Sequence, residues 1–96
     1  MKFSHNWTKL SKHQFTTIRK AGGYYRVGRK YLCETPITTF YAKVIHMQHI
    51  RKEDITEEIA QADADMDRES LIKLLNRFYG KEYDGFVLMT LERLNG

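Results

Sequence analysis

The chain has 96 residues, 42% of them apolar and 29% charged, with a single cysteine, Cys33. This length makes one domain, residues 1–96, with a small core. The composition excludes a disordered chain, and one thiol excludes both an intramolecular disulfide and a zinc site built on cysteines. The formal charge of +4 is unevenly placed: residues 1–33 hold Lys2, Lys9, Lys12, Arg19, Lys20, Arg26, Arg29 and Lys30 with no acid, a charge of +8, while the remainder carries eight basic and twelve acidic side chains, so the first third is expected to meet an anionic partner.

In chain order, residues 1–5 suit a first strand and residues 7–13 a short helical turn. Phe15-Thr16-Thr17-Ile18-Arg19 is β-branched and aromatic and predicts an extended segment, and Lys20-Ala21-Gly22-Gly23 a loop. Val27-Gly28-Arg29-Lys30 reads as a tight turn into a strand over residues 31–34, which Thr35-Pro36 breaks. Residues 38–50 give the clearest strand pattern, with Phe40, Ala42 and Val44 on one face and Tyr41, Lys43, Ile45 and Met47 on the other. Asp54, with Glu57 three residues on, predicts the capped start of a helix that aligns Ile55, Ile59 and Ala62. Asp67 predicts the cap of a second helix with Leu71, Leu74, Leu75 and Phe78 as its apolar stripe, ended by Gly80. Residues 85–91 are apolar on both faces, the mark of a central or doubly covered strand. The order is β, short helix, β, β, β, α, α, β, an α+β arrangement in which helices pack outside a small sheet or barrel.

Three pieces in this order carry a family resemblance. They are the Thr17-Ile18-Arg19 strand, the turn Tyr25-Arg26-Val27-Gly28-Arg29-Lys30-Tyr31, and the helical region from Asp54-Ile55-Thr56 through Ala62-Asp63 to Phe78-Tyr79-Gly80 with its closing strand. Together they resemble the ASCH family of PUA-like domains over nearly the whole chain. The resemblance implies a small mixed β-barrel with flanking helices, a cleft between the two, and RNA or a nucleotide-like ligand as partner. One branch of the family hydrolyses the acetyl amide of N4-acetylcytidine with a lysine, a threonine and a glutamate, and another member type cleaves single-stranded RNA. By position Thr17 matches the threonine and Asp63 falls near the glutamate. Gln14 occupies the lysine's place and has no titratable proton, so Lys12, two residues away, is the candidate for that role. A hydrolase of this kind would be metal-independent.

Arg19 can grip a phosphate in bidentate fashion or pair with a helix carboxylate such as Asp63. Thr16 and Thr17 should face opposite sides of their strand. Lys9, Lys20, Arg26, Arg29 and Lys30 supply further cations for phosphates, while bases can stack on Tyr24 and Tyr25; among Tyr24, Tyr25 and Tyr31, at least one ring should be structural. Asp63, Asp65 and Asp67 lack the glycine and distal glutamate of a calcium loop and read as a solvated inter-helix turn. His46 and His49, three apart on a strand, should point to opposite faces. His5 and His13 read as surface histidines, and Trp7 is expected to pack under the barrel. No fingerprint for a nucleoside triphosphate or NAD is present, so no cofactor is expected. Without a basic-then-apolar leader or an apolar run of about 18 residues, a cytoplasmic, non-membrane protein is expected.

Overall fold

The computed structural model describes residues 1–3 and 8–94; His5 and Trp7 lie outside the described residues. Four antiparallel strands, β1 (Gln14–Lys20), β2 (Lys30–Glu34), β3 (Thr39–Ile50) and β4 (Phe86–Arg93), form one sheet in the order β1-β4-β3-β2. Two helices, α1 (Glu57–Ala64) and α2 (Arg68–Tyr79), lie between β3 and β4 in sequence. The fold is therefore α+β. No helix among the described residues is long and apolar enough to cross a membrane.

The last strand in sequence is central in space, which explains its composition. Val87, Met89 and Leu91 enter one core with Phe15, Phe40, Ala42 and Val44. Phe86 enters a second core with Ile18, Ile50, Ala60, Ala64, Leu71 and Leu75. Alternate residues of a strand face opposite ways, so a strand apolar throughout is one buried on both faces. The helices cover the second core only.

β1 and β2 are the edges of an open sheet, and the N-terminal residues reach towards both. The amide of Phe3 donates to the Glu34 carbonyl and that of Glu34 to the Met1 carbonyl, each at 2.8 Å. This realises the expected first strand as a single parallel bridge, Lys2 to Glu34. From the other edge, Arg19 Nη2 donates to the Lys2 carbonyl at 2.7 Å, and Phe3 meets Phe15 of β1 edge to face.

The β2–β3 hairpin turns where Pro36 requires it. Thr35 Oγ1 accepts from the amides of Ile37 and Thr38, an arrangement that satisfies backbone donors in a tight turn. The expected turn at Val27-Gly28 is also present: Arg29 N donates to the Arg26 carbonyl, and the amide of Gly28 donates to the Val44 carbonyl of β3. Gly28 has φ +90°, which side chains rarely adopt.

Four expectations about faces and caps are corrected. Met47 packs on the core with Val44 rather than with Tyr41 and Lys43, because a bulge between Val44 and His46 shifts the register by one residue and so exchanges the faces beyond it. His46 and His49 still oppose each other, pairing with Thr90 and Val87. Asp54 does not cap α1. It lies in its own 3-10 turn, Lys52–Asp54, and accepts from the Arg51 amide at 2.8 Å; Thr56 is the cap, accepting from Ile59 N. With the helix starting later, Ala60, Asp63 and Ala64 turn inward and Ala62 is exposed. On α2, Leu71 and Leu75 are buried, but Phe78 is 55% exposed at the mouth of the cleft described below. The Asp67 cap and the stop at Gly80 are as expected.

Candidate functional site

A cleft of about 110 Å³ lies where β1, the N-terminal residues and both helices meet. Lys2, Lys9, Thr17, Arg19 and Asp63 supply its polar lining, while Leu74, Phe78 and Tyr79 of α2 supply an apolar wall. Because β1 is an edge strand, the cleft straddles it. Thr17 and Arg19 reach the cleft from one face of β1 and Ile18 from the other. A water takes up about 30 Å³, so this hollow suits a phosphate or the edge of a base, with the rest of any larger ligand lying outside.

The innermost feature is an ion pair. Lys9 Nζ stands 3.0 Å from Asp63 Oδ1, and the two side chains are only 7% and 9% exposed. The 3-10 turn Thr8–Ser11 places the lysine, anchored by Leu10 in the core. Helix α1 places the carboxylate, which follows Ala60 by three residues on the buried face. Thr16 Oγ1 donates to the same carboxylate oxygen at 3.4 Å. Burial lowers the Lys9 pKa and raises that of Asp63, in each case against the pull of the partner's charge. Desolvation thus outweighs attraction on both sides, as is common for buried pairs. Perturbed groups of this kind in a cleft mark candidate sites.

Arg19 is fixed rather than free. Its Nε donates to Thr17 Oγ1 at 3.2 Å and its Nη2 to the Lys2 carbonyl, while its guanidinium carbon lies 4.7 Å from the centroid of the Phe3 ring. Cation–π stacking and two bonds set its plane, and among the described residues Nη1 is left for a ligand. The alternative, pairing with Asp63, is not adopted, because Lys9 takes that carboxylate.

The other expected site residues fall in several places. Lys12 is exposed, beyond the end of the 3-10 turn, and does not line the cleft; Lys9, expected only as a ligand contact, holds the position beside Asp63. The sequence holds a signal for a partner but not for which one: an aspartate between Ala62 and Ala64 requires a cation if its helix face is buried. The basic third is also divided. Arg29 is tied to β3, its carbonyl accepting from Val44 N, and Lys30 begins β2, at the opposite edge from β1. Arg26, Arg29 and Lys30 are exposed there, away from the cleft. Lys20 lies over the Tyr83 ring, 5.2 Å from its centroid. Tyr31 is the structural ring: it is buried, and its hydroxyl accepts from Arg26 N and donates to the Tyr24 carbonyl. Tyr25 packs beside the core, while Tyr24 is 66% exposed. His13 is exposed and hydrogen-bonded to Glu92. Among the described residues no group of three or more metal-ligating side chains converges. In comparisons with known proteins, no family model matches the chain, and no curated protein or solved structure matches it.

Proposed function

We propose that this chain is an RNA- or nucleotide-binding domain of the ASCH type, whose cleft beside the Thr17-Ile18-Arg19 strand receives a phosphate-bearing ligand. One observation carries the reading: three cations, Lys2, Lys9 and Arg19, surround a small hollow that contains a single carboxylate, Asp63. With that carboxylate engaged by Lys9, Lys2 and Arg19 are the cations that face a ligand. In this reading the open sheet is a PUA-like barrel whose two edges are spanned by residues 1–3 instead of by a ladder. A reducing, cytoplasmic setting suits Cys33, a single buried thiol whose pKa burial raises.

One phosphate held in the cleft predicts a definite salt dependence. In titrations of labelled single-stranded RNA at several salt concentrations, log affinity should fall against log salt with a slope of about −0.7 or steeper, about −0.7 per phosphate held. A slope near zero would remove the electrostatic basis of the proposal.

A second reading, a small hydrolase acting on an N4-acetylcytidine-type amide or on single-stranded RNA, is favoured by the Lys9–Asp63 pair. A desolvated amine can act as a general base near neutral pH, and the Thr17 hydroxyl lines the same cleft. Incubation with N4-acetylcytidine should then release cytidine and acetate, and Thr17→Ala should slow the release by roughly 10²-fold. A folded sample that turns over neither the nucleoside nor RNA would end this reading while leaving the binding proposal standing.

A further inference from the structure

The sheet face that carries the helices is left uncovered over β2 and the start of β3. There β2 presents Lys30 and Leu32, and β3 presents Tyr41 and Lys43, since alternate strand residues share a face. Lys30 and Lys43 are exposed and stand directly opposite in register, as do Leu32 and Tyr41. Like charges opposite one another weaken a sheet. Among the described residues no acid is paired with either lysine: Glu92, the neighbour of Lys43 on β4, is 3.1 Å from His13 Nε2. The Leu32–Tyr41 pair lies two residues along, about 7 Å away, with the Tyr41 ring 55% exposed.

Beside these residues opens a groove of about 800 Å³, far larger than the cleft. Lys30, Leu32, Phe40, Tyr41 and Arg93 are among its walls, and none of its lining residues is acidic. Arg93 is positioned rather than loose: it lies over the Phe40 ring at 4.2 Å and donates to the Leu10 carbonyl at 2.8 Å. The volume falls within the range of about 300–1,000 Å³ typical of small-ligand sites, so a whole nucleotide fits here where the cleft admits only part of one.

We propose that this face carries a segment of single-stranded RNA, with a phosphate between the ammonium groups of Lys30 and Lys43 and a base stacked on Tyr41. Cations beside an exposed ring, with the neighbouring carboxylate, Glu92, hydrogen-bonded to His13, match the general pattern of single-strand binding surfaces. The inference deepens the nucleotide reading of the cleft, making the ligand a chain rather than a free nucleotide, but uses none of the cleft's residues.

Amide chemical shifts of the full chain titrated with an oligouridine provide the test. Shifts are expected at residues 30–32 and 41–43 as well as at 17–19. Shifts at the β2–β3 residues alone would support this inference and remove the cleft reading. Shifts confined to the cleft would overturn the inference and leave the cleft reading, and no shifts at either place would overturn both. Replacing both lysines (Lys30→Ala with Lys43→Ala) should flatten the salt slope by about 0.7, the share of the one phosphate they hold, without lowering the melting temperature, because it also removes a repulsion. Tyr41→Ala should weaken binding by about 5- to 150-fold. An unchanged slope in the double variant, or displacement of the RNA by polyglutamate at equal concentration, would overturn the proposal.

Discussion

Replacing Asp63 with asparagine lowers the stability of the protein by about 3–5 kcal/mol, the cost of leaving a buried charge without its partner. Lys9→Met costs a similar amount, but the two variants respond to pH in opposite senses. In Asp63→Asn, Lys9 loses the charge that holds its proton, and its pKa, already lowered by burial, falls further. Between that folded value and the ordinary 10.5 the unfolded chain binds more protons than the native one, so stability rises with pH through this window. In Lys9→Met, Asp63 is left alone with a pKa already raised by burial. Between its ordinary 3.8 and the raised folded value the native chain binds more protons, so stability rises as pH falls. Urea unfolding at acid, neutral and alkaline pH measures both trends. The pair Lys9→Met with Asp63→Leu, which removes both charges, should be neutral or more stable by about 1–4 kcal/mol. A double replacement costing the sum of the two single ones would show that Lys9 and Asp63 are not coupled.

If the double replacement is indeed stabilising, the pair costs the fold free energy, and its presence in the cleft calls for another use. A desolvated ammonium beside a desolvated carboxylate offers a ligand both a donor and an acceptor. Thr16, whose hydroxyl donates to Asp63, helps hold the carboxylate in place.

The second large effect is expected at Arg19. Its Nε and Nη2 bonds to Thr17 and Lys2 fix a planar fork that a lysine cannot reproduce. Arg19→Lys should therefore weaken ligand binding nearly as much as Arg19→Ala. A hydrogen bond to a charged group contributes about 1.5–3 kcal/mol, so both variants should bind about 10- to 100-fold more weakly. Arg19→Lys retaining full affinity would show that only a positive charge is needed, and that the fixed plane serves the fold.

Much of this arrangement was legible in the sequence, and the failures have specific causes. β4 was recognisable because a strand buried on both faces is apolar on both, and β1 because Phe15, Thr16, Thr17 and Ile18 are all strand formers. Thr17, Arg19 and Asp63 were singled out from the resemblance, and they do line one cleft. An aspartate between Ala62 and Ala64 asks for a partner, but nothing in the sequence names Lys9 as that partner, because the two are 54 residues apart and no local pattern joins them. Lys12 follows from the resemblance, as the lysine nearest to Gln14 in sequence, whereas the chain reaches β1 through a 3-10 turn that directs Lys9 inward. The basic third was treated as one surface, but its two strands, β1 and β2, lie at opposite edges of the sheet with β4 and β3 between them. Charge in sequence says nothing about that pairing. The bulge at Val44/His46 likewise carries no mark in a run of residues that all favour a strand.

The cleft is tested most directly by calorimetric titration with cytidine 5′-monophosphate, a ligand too short to span from β1 to the far edge of the sheet. The account predicts saturable binding by the unaltered protein that weakens with salt and drops about 10- to 100-fold in Arg19→Ala. Binding of equal strength in that variant, or no binding by the unaltered protein, would contradict it.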